Sequence, residues 1–522
     1  MKSTVILFAG LTAAQIAVRA ASNEARVVSL DFQKQRKQGP GRHSGHSKSR
    51  RRSTVLSPLD NEYLLYYVDV KIGTPPQSLK IQIDTGSSDV WAPASTSKYC
   101  QGSDDPCSEG TYDPARSSSS KVVDPNGFSI SYVDGTHAKG DFVSEVLQIG
   151  NITVKNLQIG VAYNTDIGAG ILGIGFEGNS VSEDSASSLL NNLVENKYIN
   201  SRAYSLWLND QDADTGSILF GGIDTDRYEG NLIGLPILKE SGSDDYTDFL
   251  VTLSSISFVG MDGTKQSVSN DTLAVILDSG SSLTYLPNDT VQNIADRYGG
   301  VWNSEVDSYI IPCSLSNDYH DYVEYQFGGA HGPLIRVPIE ELTNYVLDIN
   351  GDIWTDSDGN AACTLGLQPQ PEDFGDTYLF GDTFLRSAYV VYDLDGKKIY
   401  MGQTVFNATD SHILEIQNST SSKNGVPEVS GVASATTAFV MVTTVVKPRP
   451  TSVTGEIELT AIASTPTDYS TEPTSTQGSE SSGPGKSGSN STTPNAGVQV
   501  EVGGSLSIIF AILGCLLGVW IY

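Results

Sequence analysis

Two short stretches of the chain carry nearly the same sequence. "IQIDTGSSDVWAP" runs from Ile81 to Pro93, and "VILDSGSSLTYLP" runs from Val275 to Pro287. In each, an apolar run leads to Asp-(Thr/Ser)-Gly-Ser-Ser, which predicts a carboxylate on a tight turn at the end of a strand. Glycine allows the sharp turn and the close approach of another segment, and the neighbouring hydroxyls can hydrogen-bond a carboxylate. One such turn is common in hairpins, but two in matching contexts indicate a duplication and a pseudo-twofold body.

A twofold axis between the two halves would bring Asp84 and Asp278 face to face. Two carboxyl groups about 3 Å apart do not readily ionise together, so they share one proton. A water between them can then lose a proton to the ionised group and attack a carbonyl carbon, while the protonated group donates to the carbonyl oxygen. The pair therefore predicts peptide-bond hydrolysis without a covalent intermediate, a metal or another cofactor.

The elements that position these turns are predicted to be strands. From about residue 61 to residue 403, short stretches such as "YYVDVKIG" and "DFVSEVLQIG" alternate apolar and polar residues and are separated by Gly, Asp, Asn and Pro. Long helical periods are few, and one covers "ASSLLNNLVENKYI" at Ala186–Ile199. The pattern predicts an all-β body of two lobes.

The sequence resembles the pepsin-like aspartic proteases, and within them the fungal GPI-anchored, yapsin-like branch, over about residues 60–405. The resemblance implies a bilobal fold with pseudo-twofold symmetry, an active-site cleft between the lobes, and a monomer that cleaves proteins and peptides. It assigns residues 53–230 to the N-terminal lobe and 231–405 to the C-terminal lobe. The motifs that carry it are "DTGSSDVW" at Asp84–Trp91, "ILGIG" at Ile171–Gly175, "FGGIDTDRYEG" at Phe220–Gly230, "DSGSS" at Asp278–Ser282 and "LFGDTFLRSAYVVYD" at Leu379–Asp393.

Transferred by position, the resemblance makes Asp84 and Asp278 the catalytic pair. Hydroxyl residues are expected to tie the two loops together and to hydrogen-bond the outer carboxylate oxygens, and glycines to let the loops approach. Ser279 stands where Thr is more usual, but its hydroxyl is retained. The supporting residues are Thr85, Gly86, Ser87, Ser279, Gly280 and Ser281.

"SYVDGT" at Ser131–Thr136 resembles the flap hairpin that closes over substrate. Tyr132 is then the flap tyrosine and Trp91 its hydrogen-bond partner. Many relatives have Gly after the tyrosine, so Asp134 adds a carboxylate near the substrate. The remaining flap residues expected to meet substrate are Gly135 and Thr136.

The net charge of −29 and the pI of about 4.4 exclude nucleic acid as the expected partner. A strongly acidic protein attracts cationic ligands, and yapsin-like relatives resemble processing enzymes that cut next to Lys or Arg. Asp134, Asp104, Asp105 and Glu109 are expected to favour such residues. The alternative is that the acidic surface serves solubility alone.

The N-terminus predicts export followed by activation. Residues 1–20 have the pattern of a signal peptide. Residues 21–52 carry nine Lys and Arg against two acids and end in "KSRRR", which predicts a basic propeptide cleaved after Arg52 by a kexin-type protease. Its charge favours docking as an inhibitor, with Lys34, Arg36 or Lys37 as counter-ion to the catalytic pair. A solvated arm is the alternative.

Five cysteines in an exported chain predict disulfides. Four of them allow three connectivities, of which Cys100–Cys107 and Cys313–Cys363 are favoured because each closes a loop within one half of the chain. Cys515 is left over. No CxxC or Cys/His cluster indicates a zinc site.

The C-terminal part predicts a stalk and an anchor. Residues 406–495 are rich in Ser, Thr and Pro, as in an O-glycosylated, disordered stalk. Residues 496–522 end in an uncharged apolar tail, which predicts a removed GPI signal with attachment at Asn495, or alternatively at Asn490 or Ser491. A tail-anchored helix is the rival. N-glycosylation sequons stand at Asn151, Asn270, Asn288, Asn407, Asn418 and Asn490.

The sequence thus predicts a secreted aspartic endopeptidase, anchored to the plasma membrane or cell wall and cutting at or near basic residues. A non-catalytic adhesin or structural surface protein would carry the same stalk and anchor. A glycosidase also uses two carboxylates, but it does not explain the repeated Asp-x-Gly turns. HExxH and G-x-S-x-G are absent from the sequence, which argues against metalloproteases and serine hydrolases.

Overall fold

A computed structural model of the 522-residue chain describes most of residues 65–418 and shorter segments on either side. Arg36, Lys37, Arg52, Asp104, Asn490 and Asn495 lie outside the described residues, as do the predicted signal peptide and GPI signal. No helix in the described part of the chain is long and apolar enough to cross a membrane. The described ranges are 26–35, 65–103, 105–182, 188–213, 215–240, 242–304, 306–315, 321–346, 353–355, 359–371, 375, 377–418, 425–433 and 460–461.

Strands dominate the described residues. In the first half these are β1 (Val28–Gln35), β2 (Leu65–Ile72), β3 (Gln77–Asp84), β4 (Val90–Pro93), β5 (Lys121–Ser131), β6 (His137–Ile149), β7 (Ile152–Thr165), β8 (Gly170–Gly173), β9 (Ala203–Trp207), β10 (Thr215–Phe220), β11 (Gly222–Asp224) and β12 (Tyr228–Pro236). In the second half these are β13 (Leu250–Val259), β14 (Lys265–Ser269), β15 (Leu273–Leu277), β16 (Thr284–Leu286), β17 (Val301–Asn303), β18 (Ser308–Pro312), β19 (Tyr322–Phe327), β20 (Leu334–Pro338), β21 (Thr343–Tyr345), β22 (Trp354–Thr355), β23 (Ala362–Leu365), β24 (Leu367–Pro369), β25 (Thr377–Phe380), β26 (Ala388–Asp393), β27 (Lys398–Thr404), β28 (Ile413–Glu415), β29 (Val429–Val432) and β30 (Thr460–Ala461).

The described helices are short. α1 (Leu189–Glu195) lies within the stretch whose period predicted a helix, and Ser188 caps it by accepting from Asn191 N at 3.3 Å. α2 (Asn288–Arg297) begins after Pro287 and buries Thr290, Val291, Ile294 and Ala295. α3 (Asp382–Leu385) is a single buried turn.

Two large sheets form the body. The first has fourteen strands in the order β29-β12-β27-β26-β9-β10-β1-β2-β3-β8-β4-β7-β6-β5, and the second has eight, with β20-β19-β13-β15-β25-β16-β24 in sequence and β14 beside β13. A four-stranded sheet, β17-β18-β23-β21, adds to the second half. Strands from both halves, β9, β10, β12, β26 and β27, lie side by side in the first sheet, which joins the two lobes.

The same small unit occurs once in each half. In the first, β3 pairs with β8 in parallel and β4 pairs with β8 antiparallel. In the second, β15 pairs with β25 in parallel and β16 pairs with β25 antiparallel. Most residues of these strands are buried on both faces, and their apolar side chains contribute to one continuous core through both halves. The predicted all-β, two-lobed fold is confirmed.

The predicted propeptide supplies a strand of the central sheet. β1 pairs antiparallel with β10 over Val28–Gln33 and with β2 over Gln33–Gln35. Val28, Leu30 and Phe32 alternate along it and are buried. A Cβ on Gly216 of β10 would lie 2.3 Å from Phe32 Cε2, so the sheet accepts this ring only opposite a glycine. Residues 26–35 are therefore not a solvated arm.

The folded part continues past the boundary predicted at residue 405. β28 pairs with β11, and β29 runs parallel to β12. Ile416 and Val426 are buried in a small core with Tyr228 and Tyr389. These apolar positions are widely spaced in a Ser/Thr-rich stretch, which is why composition alone assigned residues 406–433 to the stalk.

Both predicted disulfides are present. Cys100 is bonded to Cys107 and Cys313 to Cys363, each with a Cα–Cα distance of 5.1 Å. The second joins the end of β18 to β23 within the four-stranded sheet, so each bridge stays within one half of the chain, as expected.

Candidate active site

Each of the two aspartates stands where a strand ends inside its repeated unit. Asp84 is the last residue of β3, and Asp278 directly follows β15. The backbone of the neighbouring strand holds each loop: Ile174 N donates to Asp84 O at 3.0 Å, and Asp278 N donates to Phe380 O at 3.0 Å. The apolar runs before the motifs therefore form buried strands that deliver both aspartates to the same level of the body.

A glycine lies behind each loop. A Cβ on Gly173 would lie 2.5 Å from Asp89 N, and one on Gly381 would lie 2.3 Å from Ser281 O. These are contacts that a real side chain could not make, so the strands behind the loops can pack this closely only with glycine. This accounts for the glycine in both hydrophobic-hydrophobic-Gly elements.

The two loops are locked together by reciprocal hydrogen bonds across the lobes. Thr85 Oγ1 donates to Leu277 O at 3.0 Å and accepts from Ser279 N at 2.9 Å. Ser279 Oγ donates to Ile83 O at 3.2 Å and accepts from Thr85 N at 3.2 Å. Each hydroxyl uses both its donor and an acceptor, so Ser279 makes the same contacts as its threonine counterpart.

Each carboxylate is oriented by its own loop. Asp84 accepts from Gly86 N at 2.8 Å and from Ser87 Oγ at 2.5 Å. In the other loop, Asp278 accepts from Gly280 N and Ser281 Oγ, both at 2.8 Å. In each case the inner oxygen takes the backbone bond and the outer oxygen takes the hydroxyl.

The carboxyl groups face each other across the two motif glycines. A Cβ on Gly86 would lie 2.5 Å from Asp278 Oδ1, and one on Gly280 would lie 2.4 Å from Asp84 Oδ1. Each glycine therefore leaves the space that the opposite carboxylate occupies. The structure brings Asp84 and Asp278 together as the repeat predicted.

The electrostatics of the pair favour one shared proton. Asp84 and Asp278 are only 5% and 8% exposed. Burial first, and then the negative charge of Asp278, raise the pKa of Asp84 to about 8. Such a site holds a proton on one carboxyl through the acid and neutral range, and can act as acid and base together.

The predicted flap is the hairpin β5–β6, whose turn spans residues 132–136. Trp91 Nε1 donates to Tyr132 Oη at 2.7 Å. Trp91 is fully buried in a small core with Phe128 and Phe142, against which Tyr132 packs. Burial, followed by the charge of Asp84, raises the pKa of Tyr132 well above its usual value. The tyrosine thus links the flap to the strand that follows the first catalytic loop.

Asp134 has a structural contact within the flap turn. Its Oδ1 accepts from Thr136 N at 2.8 Å and from Thr136 Oγ1 at 2.6 Å. Gly135 has φ +85 and no atom within 4 Å of a Cβ position. The carboxylate therefore stabilises the turn, a role that the sequence interpretation did not assign to it.

Other groups near the pair were not predicted. Gln82 Nε2 donates to Gly280 O at 3.1 Å, and Asn179 Nδ2 donates to Gly86 O at 2.9 Å, so each loop glycine carbonyl is held from another segment. Burial first, and then the negative charges of Glu240 and Asp278, raise the pKa of Asp248, against the lowering effect of a hydrogen bond with Thr247. Each of these three residues is a single polar side chain outside the recognised motifs, so the sequence gave no indication of its role.

Lys34 does not reach the catalytic pair. Its Nζ donates to the backbone oxygens of Asp210 at 3.0 Å, Ala213 at 3.3 Å and Gln211. It lies near the buried pair of Arg386 and Glu341, whose Nε and Oε2 are 2.5 Å apart. Burial first, then the charge of Arg386, lowers the pKa of Lys34 to about 8. Of the three candidate counter-ions, only Lys34 is described, and it binds elsewhere.

The remaining predicted residues lie at the surface. Asp105 is exposed and Glu109 is half-buried beside the Cys100–Cys107 disulfide. Four described sequon asparagines are exposed, whereas Asn288 is half-buried as the first residue of α2; the exposed ones are Asn151, Asn270, Asn407 and Asn418. Within the described ranges, no group of three or more His, Cys, Asp or Glu could hold a metal ion.

Comparison with known proteins places this geometry in context. A model of the eukaryotic aspartyl protease family matches residues 65–404. The "Probable aspartic-type endopeptidase opsB" of Aspergillus oryzae is 43% identical over 79% of this chain and 83% of its own length. "Candidapepsin" of Candida tropicalis is 36% identical over 74% and 90%, and "Aspartic proteinase 3" of Saccharomyces cerevisiae is 31% identical over 73% and 77%.

Proposed function

The chain belongs to the eukaryotic aspartyl proteases, and we propose that it is a secreted, surface-anchored member in which Asp84 and Asp278 activate a water. Aspartic endopeptidase activity follows from the family and the relatives. The roles of the two aspartates, the cellular location and the preference for basic residues are inferences from the site and the sequence.

The reaction uses both protonation states of the pair. Asp84, whose pKa is raised to about 8, carries the shared proton and donates it to the carbonyl oxygen of the scissile bond. Asp278 accepts a proton from the water as the water oxygen attacks the carbonyl carbon. The leaving nitrogen then takes that proton from Asp278, the C–N bond breaks, and one hydroxyl of the tetrahedral carbon returns its proton to Asp84 as the carboxylic acid forms. The closed flap, held by Tyr132 and Trp91, excludes bulk water.

The mutual fit of Gly86 and Gly280 to the opposite carboxylates carries this proposal. The test is cleavage of a fluorogenic peptide by the purified protein at pH 4, with and without pepstatin. Acid cleavage that pepstatin abolishes supports the aspartate mechanism. Cleavage that is fastest at pH 8 and resists pepstatin would rule it out.

A preference for basic residues is the finer part of the proposal. The chain after residue 52 has 21 Lys and Arg against 59 acids, a formal charge of −38, which attracts cationic segments. Asp248 adds a half-buried carboxyl within electrostatic reach of Asp278. A peptide library profiled by mass spectrometry should show Lys or Arg beside the cleaved bond. Asp248→Asn should reduce that preference, and Asp69→Asn, at an exposed position of β2, is the matched control.

Surface anchoring rests on the sequence of the two ends. The signal-peptide pattern at residues 1–20 and the small-residue site before the apolar tail support export and GPI attachment at Asn495. Phosphatidylinositol-specific phospholipase should release the protein from cells, or the protein should be found linked to wall glucan. Detection of Tyr522 on the mature surface protein would refute GPI processing.

A further inference from the structure

The N-terminal segment before residue 65 and the C-terminal extension after residue 404 meet beside Gly221. This glycine has φ +74, and a Cβ on it would lie 2.7 Å from Ile199 Cβ and 2.9 Å from Arg26 O. Its carbonyl accepts from Ile416 N at 2.8 Å. Arg26 and Ile416 both lie outside residues 65–404, which match the family. The N-terminal segment and the C-terminal extension therefore share one site on the body.

A surface pocket of about 540 Å³ lies at this meeting point. Its walls carry the cation Lys197, the amides of Asn200 and Gln417, the aliphatic side chain of Val194, and Arg26, which belongs to the segment predicted to be cut away after Arg52. Arg26 Nη1 donates to Asn200 Oδ1 at 3.1 Å. The size falls within the range of about 300–1,000 Å³ typical of small-ligand sites. The Asn200 amide also donates to Glu415 Oε1, so the Gln417 amide and the Lys197 ammonium, together with an aliphatic wall, are the groups that suit a ligand with many hydroxyl groups.

Asn418 forms part of the wall of this pocket and is exposed. It begins the sequon Asn418-Ser419-Thr420. Ile416 N donates to Gly221 O at 2.8 Å, which holds the residues before the sequon against the body, and Gln417 N donates to Gly425 O at 2.8 Å. A group attached to Asn418 would therefore start inside the pocket rather than on a free tail.

We propose that an N-linked glycan on Asn418 occupies this pocket and ties the C-terminal extension to the body. In the covalent step, Asn418 Nδ2 bonds to the anomeric carbon of a lipid-pyrophosphate-linked oligosaccharide, the nitrogen loses one proton, and the lipid pyrophosphate leaves. The first N-acetylglucosamine then presents hydroxyl and acetamide groups to Lys197 and Gln417. Tethering gives the sugar a high effective concentration, so weak contacts suffice. The inference rests on the proposed passage through the secretory pathway.

The test is a double-mutant cycle on the full chain secreted from a fungal host. Thr420→Ala removes the sequon but keeps Asn418, and Lys197→Ala alters the pocket wall. With the sequon intact, Lys197→Ala should lower the melting temperature by about 1–3 °C, as expected for a contact of this size in a large domain. In the Thr420→Ala background it should have no effect. Thr409→Ala, which removes the Asn407 sequon, is the control and should leave the Lys197→Ala effect unchanged.

Glycopeptide mass spectrometry on the same proteins separates the possible outcomes. Glycan on Asn418 together with the coupled melting shifts supports the proposal. An equal loss from Lys197→Ala with and without the sequon overturns it, and so does an occupied Asn407 beside an unmodified Asn418. Absence of glycan from every sequon of the secreted protein would also overturn it, whereas peptide cleavage assayed in parallel tests the protease function independently.

Discussion

Two buried carboxyl groups at the centre of the body are oriented by the atoms of their own loops. Each receives one backbone N–H and one serine hydroxyl at 2.5–2.8 Å. Hydrogen bonds to the ionised form lower the pKa of a carboxyl, whereas burial and a second negative charge raise it. For Asp84 the raising effects win, and its pKa lies near 8. Orientation and proton retention thus come from separate contacts at the same residue.

Removing either carboxyl should stop catalysis and leave the fold intact. Asn keeps the size and one acceptor oxygen of Asp, but it can neither take the proton of the water nor carry the shared proton. Asp84→Asn and Asp278→Asn should therefore each lower kcat by about 10²–10⁴-fold. The measurement is initial rate on a fixed peptide, with circular dichroism to check folding. Asp69→Asn, at an exposed position of β2, is the control. Near-normal turnover by either active-site variant would contradict the assignment.

The motif glycines should tolerate no side chain. In Gly86→Ala the new Cβ would be pushed to 2.5 Å from Asp278 Oδ1, so the loops must separate and the shared-proton geometry is lost. Activity should fall by at least about 10²-fold, since misplacement by about 1 Å has that effect on positioned groups. Gly135→Ala in the flap, where no atom lies within 4 Å of the Cβ position, is the comparison and should lose far less. Equal losses of activity in the two variants would mean that the backbone freedom of glycine, and not the clash with Asp278, determines the effect.

At the scale of elements, the flap hairpin is connected to the catalytic loop through one hydrogen bond. Tyr132 Oη accepts from Trp91 Nε1 at 2.7 Å. Trp91 lies in β4, directly before the buried residue Ala92. Tyr132→Phe keeps the ring but leaves the indole N–H without this acceptor. A lost hydrogen bond of about 1 kcal/mol corresponds to roughly a fivefold lower kcat/KM. Val133→Ala, at a neighbouring exposed position, should change kcat/KM less; the reverse order would contradict the anchoring role.

The N-terminal strand should inhibit through a specific lysine rather than through its net charge. Lys34 is protonated below its pKa of about 8, so its charge does not change between pH 6 and pH 4. Acid instead reduces the negative charge of the mature chain that attracts it, formally −38 after residue 52. A synthetic 21–52 peptide should therefore inhibit the mature enzyme more strongly at pH 6 and low salt than at pH 4 or high salt.

A charge-matched peptide tests the site itself. Lys34→Met should weaken inhibition about tenfold, the equivalent of about 1.4 kcal/mol, because it removes the contacts to Asp210 and Ala213. Lys48→Met removes the same charge from the same peptide and should matter less. Equal losses from both substitutions would leave only net charge as the cause, and inhibition that is the same under all pH and salt conditions would exclude electrostatics altogether.

The sequence was most informative about residues whose role depends only on their immediate neighbours along the chain. The duplicated Asp-x-Gly turns, the flap tyrosine and the cysteine spacing each depend on a short motif, and the structure places those residues as expected. β1 was missed, although Val28, Leu30 and Phe32 alternate, because the basic composition around them outweighed three apolar positions. The contacts of Lys34 could not be read from the sequence, since its partners Asp210, Gln211 and Ala213 lie far along the chain.

At the scale of the whole molecule, different buried carboxyl groups change the stability of the fold with pH in opposite directions. Burial raises the pKa of Asp89 in the folded protein above the ordinary 3.8. Ionisation of this carboxyl is therefore less favourable in the folded than in the unfolded state, and the free energy of unfolding decreases as pH rises above about that value. Glu145 has a lowered pKa because hydrogen bonds from Ser119, Tyr112 and Val146 outweigh its burial. Its contribution is present above the ordinary 4.5 and is lost as pH falls through the lower folded value.

The melting temperature should therefore be highest close to about pH 4, between the onset of these two effects. Asp278→Asn protein, which cannot digest itself, is measured from pH 2 to pH 8. Adding Asp89→Asn should flatten the decline above pH 4, because the buried group no longer ionises. Adding Glu145→Gln should lower the melting temperature at pH 6, with a smaller loss at pH 2, where the native carboxyl is also protonated. A melting temperature that rises steadily to pH 8, or an Asp89→Asn curve parallel to its parent, would show that these buried groups do not set the acid preference of the fold.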